Sequence, residues 1–163
     1  MSYIYLWFVK FNEAKASFIE SWGQLGSYWG INRTMAQIQA LLLVSDKALC
    51  TDDIMKELNV SRGNANMNIR ELISWGIVFK SFIPGDRKEY FRSEKDPWEI
   101  AKKVARERKK RELEPLLHSL QQLRSFKAQD KKGRELKKVS TAIHKMAKTA
   151  DGMIEGLLID GRP

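Results

Sequence analysis

The sequence predicts a mainly α-helical protein with a small β-hairpin wing: a winged helix-turn-helix flanked by N- and C-terminal helices. Three observations carry that expectation. Between Thr51 and Val78, two short amphipathic segments of helical period flank an Asn59-Val60 turn. Directly after them the apolar period changes from helical to extended around the turn Pro84-Gly85-Asp86-Arg87. On either side, longer segments keep apolar residues three and four apart. The expected parts are a leading helix at 1–30, the winged region at 31–95 and a helical region at 96–163.

From Phe11 to Trp29, the residues Phe11, Ala14, Phe18, Trp22, Leu25 and Trp29 form one helical stripe. Gly30 marks its end and Asn32 a start for the next helix. Thr34 to Val44 is dense in Leu, Ile, Ala and Met, as suits a helix buried on most sides. A third helix is expected from Thr51, capped by Thr51 itself, with Asp52 and Asp53 in the first turn where negative charge suits the helix dipole. Ser61 caps a fourth helix that runs to about Trp75, and Gly76 stops it where a left-handed residue is usual. Ile77 to Ile83 and Lys88 to Arg92 then read as extended arms of a hairpin. Both faces of that hairpin carry apolar groups, so which of them packs down stays open.

Pro97 suits the first turn of a further helix. That helix continues to about Phe126 through Trp98, Ala101, Val104, Leu113, Leu116, Leu117, Leu120 and Leu123, and a polar break follows around Asp130 to Gly133. Leu136, Val139, Ile143, Met146, Ala150, Met153 and Leu157 then alternate spacings of three and four without a slip. Such heptads suit a helix that pairs along its length, in cis or with a second subunit; the plainer alternative is an amphipathic helix lying on its own domain.

The chain has 163 residues and a net charge of +9, which suggests an anionic partner, nucleic acid or membrane surface. The charge is unevenly placed. Residues 1–100 hold 12 Lys/Arg and 12 Asp/Glu, so the whole excess lies in 101–163, with 17 against 8. Solvated helix faces explain such an excess equally well. The basic run Lys102 to Arg111 reads most simply as a linker helix with a wet face, although it also suits DNA flanks, an acidic partner or a membrane surface. A single cysteine, Cys50, excludes an internal disulfide, and no Cys/His cluster points to zinc. The apolar run Tyr3 to Val9 is too short to span a bilayer and lacks a basic leader, so a cytoplasmic protein is expected.

The segment 51–92 carries the chemistry. Ile54, Leu58, Val60, Ala65, Ile69 and Leu72 supply the apolar triangle that fixes two helices and leaves the outer face of the second free for the major groove. Arg62, Asn64, Asn66, Asn68 and Arg70 are expected on that outer face, with Gly63 and Met67 among them. Asn pairs with adenine edges and Arg with guanine edges, while Ser61 and the helix N-terminus suit a phosphate. Three Asn residues in five positions are unusual for a merely solvated helix, since Asn is a poor helix former. A polar helix used for protein contacts is the structural alternative. Lys80, Lys88 and Arg92 offer phosphate contacts. Residues 61–92 contain six Lys/Arg against three acids, a modest bias that a dimer would double.

The run TDDIMKELNVSRGNANMNIRELISWGIVFKSFIPGDRKEYF resembles the winged helix-turn-helix of MarR-type regulators, most closely their GbsR-like branch. The segments FIESWGQLGSYWGINRTMAQIQALLLVS and WEIAKKVARERKKRELEPLL resemble that branch too, so the likeness spans about residues 15–120. It implies a homodimeric transcriptional regulator whose fourth helix reads double-stranded DNA and whose wing reaches the flanking minor groove or backbone. In the family a wing Asp orients an Arg; the matching residues are Asp86 and Arg87. Dimerisation through the terminal helices is also implied, with the stripes at 11–29 and 136–157 as matching material. Residues 131–163 match the family least. Met1 to Lys10 is rich in aromatic residues and suits an arm, either packed or exposed.

Some GbsR-like regulators respond to choline, and Trp22, Tyr28, Trp29 and Trp98 are the aromatic candidates for an effector site that takes a choline-like cation. Aromatic residues at helical spacing are more often core. Cys50 suits a packed core cysteine better than a redox sensor, because Leu49 and two Asp residues surround it. His118 and His144 have no acidic neighbour at ligand spacing, no catalytic triad or phosphate loop is apparent, and neither enzyme activity, cofactor nor metal is expected. The expected function is that of a sequence-specific double-stranded DNA-binding regulator of transcription, a ligand-responsive homodimeric repressor. The alternatives are a winged-helix protein-interaction module and a sequence-independent architectural DNA binder.

Overall fold

A computed structural model describes residues 2–160, with side chains from 10 to 159. The aromatic arm Met1 to Lys10 therefore falls almost wholly outside the described side chains. The chain divides into two compact units, Met1–Lys95 and Asp96–Pro163.

The first unit begins with α1 (Ser2–Tyr28) and α2 (Arg33–Val44), which cross closely. Small residues make that approach possible. A Cβ added to Gly26 would stand 2.6 Å from the Ala36 Cβ, and one added to Gly23 would stand 2.6 Å from Gln37 Cγ. The face of α1 that packs on α2 is thus Ile19, Gly23 and Gly26. The larger stripe read from the spacing does not make this contact: Phe11, Leu25 and Trp29 are exposed, and Phe18 and Trp22 are half-buried. Asn32 caps α2 by accepting from the Met35 N–H at 3.2 Å. Ile38, Leu41 and Leu42 of α2 are fully buried and form the centre of the core.

The strand β1 (Leu49–Cys50) and helices α3 (Thr51–Leu58) and α4 (Arg62–Ser74) follow. β1 was not expected: two residues give no alternation to read. Its presence moves the cap of α3 back by one residue. Cys50 holds the N-cap position, where Asp53 Oδ2 accepts its N–H at 3.0 Å, and Thr51 is the first helical residue. That hydrogen bond is the first cause of a lowered Asp53 pKa. Cys50 is buried. Asn59, at φ 51, closes α3 in the left-handed region, and Ser61 caps α4. Ile54, Ala65, Ile69 and Leu72 are buried, while Leu58 and Val60 are half-buried beside them. At the far end of α4, the Gly76 N–H donates to Ile73 and the Ile77 N–H to Leu72, with Gly76 at φ 69. This pair of bonds satisfies the last carbonyls and turns the chain out of the helix.

The hairpin arms are β2 (Val78–Ser81) and β3 (Tyr90–Ser93), shorter than expected. They form an antiparallel sheet in the order β1-β3-β2, with Leu49 opposite Phe91 and Lys80 opposite Phe91 on the other side. The open choice of face is resolved: Val78, Phe91 and Ser93 are buried, and Phe79, Phe82 and Ile83 are exposed. Lys95 ends the unit, and its ammonium donates to the carbonyls of Leu42, Leu43 and Ser45 at 2.9, 2.6 and 2.7 Å. It thereby satisfies orphan carbonyls at the end of α2.

The described part of the second unit is helical apart from the connection at 125–130. Asp96 caps α5 (Pro97–Arg108), which runs through a π turn (Lys109–Leu113) into α6 (Glu114–Arg124). The Glu114 N–H reaches the Lys109 carbonyl, five residues back. α7 (Lys131–Asp160) packs on this rod, with Ser140 and Ala147 small and buried, while Gly133 at the same heptad spacing lies against Phe126 and Ala128 of the preceding connection. The polar break lies earlier than expected, at 125–130, because Asp130 Oδ1 accepts from the Gly133 N–H at 2.7 Å and α7 starts at Lys131. Lys109 binds Asp151 at 3.1 Å and also Glu155, fixing the π turn to α7. The expected stripe of α7 lies beside the packed face and is exposed: Leu136, Val139, Ile143, Met146, Met153 and Leu157. No helix among the described residues is long and apolar enough to cross a membrane.

Candidate nucleic-acid interface

The outer face of α4 differs from the expected one in a way that helix geometry explains. Successive helical residues turn by about 100°, so positions two apart point almost oppositely. Asn64, Asn66 and Asn68 therefore cannot share a face. Asn68 is buried, and its Nδ2 donates to the Asn64 carbonyl at 2.8 Å and to Asn64 Oδ1 at 2.7 Å. Asn64 in turn donates to Thr34 Oγ1 at 3.4 Å. Asn64 thus ties α4 to α2 and is half-buried, while Asn68 is withdrawn from the surface behind it. Asn66 faces the start of α3, where its Oδ1 accepts from the Thr51 hydroxyl at 3.2 Å, and it stays half-exposed.

What α4 does present is Arg62, Gly63, Met67 and Arg70, all exposed, with Asn66 at their edge. A Cβ on Gly63 would meet nothing within 4 Å, so the backbone is bare there. Ser61 Oγ accepts from the Asn64 N–H at 3.3 Å and so serves as cap, its hydroxyl already engaged with the backbone.

The wing is shaped by its own backbone bonds. The Asp86 N–H donates to the Ile83 carbonyl at 3.1 Å, Pro84 fills the second turn position, and Gly85 takes φ 85 in the third. That is the geometry of a type II turn, which needs a residue at ease with positive φ. Asp86 Oδ1 accepts from the Lys88 N–H at 2.9 Å and Oδ2 from the Tyr90 hydroxyl at 2.7 Å. The expected orienting of Arg87 by Asp86 gives way to this: both carboxylate oxygens hold the wing backbone and Tyr90, and Arg87 stands exposed. The Lys88 N–H and Tyr90 hydroxyl lower the Asp86 pKa, while the same bond pushes the Tyr90 phenol up to about 12.

Ion pairs divide the basic residues. Arg62 and Lys88 both face Asp52 of α3, and Lys80 pairs with Glu89 across the hairpin. Arg70, Arg87 and Arg92 have no carboxylate partner among the described residues. Asp52 and Glu89 were missed as members of the site. The sequence gives no signal for either pairing: Asp52 reads there as a helix-dipole acid, and its partners lie 10 and 36 residues away.

The aromatic effector candidates are not gathered by the first unit. Trp22 stacks at a tilt on Phe18, with centroids 5.6 Å apart, while Tyr28 and Trp29 are exposed. Trp98 belongs to the second unit, where its N–H donates to Asp96. A cleft in the first unit is lined instead by Asn12, Lys15, Ile19, Glu20, Gln37 and Glu57. Among the described residues, no group of His, Cys, Asp and Glu is placed to hold a metal ion.

No protein-family model matches the sequence, and no curated protein does. The fold does have a solved counterpart. A structure described as the crystal structure of a transcriptional regulator superposes with a TM-score of 0.59 at 20% identity, over 88% of this chain and 99% of that one. The chain thus has the fold of a known transcriptional regulator, mainly helical with a three-stranded antiparallel wing.

Proposed function

We propose that this chain is a sequence-specific regulator of transcription that binds double-stranded DNA as a homodimer, a MarR-type repressor of the GbsR-like branch acting in the cytoplasm. The observation that carries this reading is the face of α4. It is bare at Gly63, flanked by Arg62, Asn66, Met67 and Arg70, and followed by a turn-locked wing with an exposed Arg87. A helix of this kind suits the major groove, with the wing against the backbone or minor groove. The likeness to a transcriptional regulator supports it at the level of fold.

Two exposed apolar stripes, one on α1 and one on α7, support dimerisation, because solvent-facing rows of large apolar groups are unusual on a monomer. Release by a small molecule would shift the spacing of two reading helices so that they no longer fit successive grooves. Choline is the first effector to try, and undiminished DNA binding in its presence would remove it.

The test is binding to the duplex upstream of its own gene, compared with scrambled duplex over a salt series. Preference for the native sequence is expected, and absence of binding at low salt would overturn the reading. Asn66→Ala should relax base preference, whereas Arg87→Ala should weaken binding to every duplex alike. Equal losses from both variants on all sequences would contradict that division.

A second reading, a protein-interaction module, is favoured by the exposed wing residues Phe82 and Ile83. It predicts no duplex binding at any salt concentration.

A further inference from the structure

Asp52 lies in the first turn of α3, and its two oxygens reach two different elements. Oδ1 takes the guanidinium of Arg62, the first residue of α4, and Oδ2 lies 3.6 Å from the ammonium of Lys88 in the wing. Positions 52, 62 and 88 thus meet on a single anion. All three side chains remain about half exposed, so the group faces solvent.

Two cations held around one exposed carboxylate make a site for an anion with two or more oxygens. A guanidinium binds phosphate oxygens by paired hydrogen bonds, and an ammonium adds a point charge. Exposed ion pairs are weak, so a phosphate can take the place of the carboxylate at little cost. The site also joins the two parts that would have to grip DNA together, the start of the reading helix and the wing.

We propose that Arg62 and Lys88 form one clamp for a backbone phosphodiester of DNA, and that Asp52 fills this clamp as an internal counter-ion while no DNA is bound. The inference rests on the DNA-binding reading above and assigns Arg62 to the backbone rather than to a base edge. Asp52 then sets the threshold for binding. It weakens attachment to every duplex equally, and so favours sites where base contacts make up the difference.

The test measures duplex binding by fluorescence anisotropy for the full chain and its variants, on native upstream and scrambled sequences. Asp52→Asn should tighten both by the same factor, about 2–10-fold at low salt. It should also steepen the dependence of log K on log salt by about one unit. The gain should vanish when Arg62→Ala and Lys88→Ala are present together. Binding by Asp52→Asn equal to or weaker than that of the unaltered chain overturns the clamp. Should that variant melt abnormally, Arg62→Ala decides alone: equal loss on both duplexes supports the clamp, and loss confined to the native sequence overturns it. If the unaltered chain binds neither duplex, the DNA-binding reading fails and takes the clamp with it.

Discussion

Gly63 is where folding and recognition pull in opposite directions. A glycine in the first turn of a helix costs about 1 kcal/mol relative to alanine. Nothing surrounds its Cβ position, so no packing accounts for it. Gly63→Ala should therefore raise stability by about 0.5–1 kcal/mol, seen as a higher melting temperature. Gly63→Leu should fold as well as the unaltered chain yet bind duplex more weakly, because its side chain would stand between α4 and the groove floor. Undiminished binding by Gly63→Leu would show that the bare backbone has no part in recognition. The asparagines teach a related lesson. Composition marked α4 as unusual, but only the helical phase separates Asn66 at the surface from Asn68 in the interior.

The wing behaves as a unit because one carboxylate holds it at two points. Asp86 has a lowered pKa, so its contribution is complete above the ordinary carboxylate value and is lost as pH falls through the lowered one. Tyr90 is raised, so its contribution is complete below the ordinary phenol value and is lost as pH climbs through about 12. The wing should accordingly keep its form across the neutral range. Asp86→Asn should return the Tyr90 ionisation towards its ordinary value, as followed by NMR titration. An unmoved Tyr90 would mean that the bond does not form in solution. The helices and the hairpin were legible in the sequence because period, caps and the Pro-Gly turn act locally. β1 and the pairing of Asp52 were not, since each depends on where separate segments meet, and the Asp86–Tyr90 bond was not, since it depends on the exact course of the wing between β2 and β3.

At the scale of the molecule, the two large apolar stripes read from spacing exist, but neither is the face its helix uses within its own unit. Ile19 with the small Gly23 and Gly26 serves on α1, and the small buried Ser140 and Ala147 serve on α7. Hydrophobic size alone therefore does not mark the internal contacts. Paired charges placed in the α7 stripe test its use. Ile143→Glu with Met146→Glu should leave unit folding intact, turn a dimer into a monomer by light scattering, and reduce duplex affinity at least tenfold as half-sites are lost. A chain that is already monomeric before substitution would contradict the dimer.

The π turn at 109–113 also bears on how this chain tolerates change in length. Such a turn accommodates one residue more than an α-helix would, about 100° of rotation. Lys109 within it pairs with Asp151 and Glu155 of α7, and Leu117 and Leu120 after it are buried. Removing one residue from 109–113 would restore regular helical hydrogen bonds and yet swing the downstream leucines away from α7. A deletion here thus improves local geometry while undoing the packing, so α5 and α6 can be shortened only by compensating elsewhere along the rod.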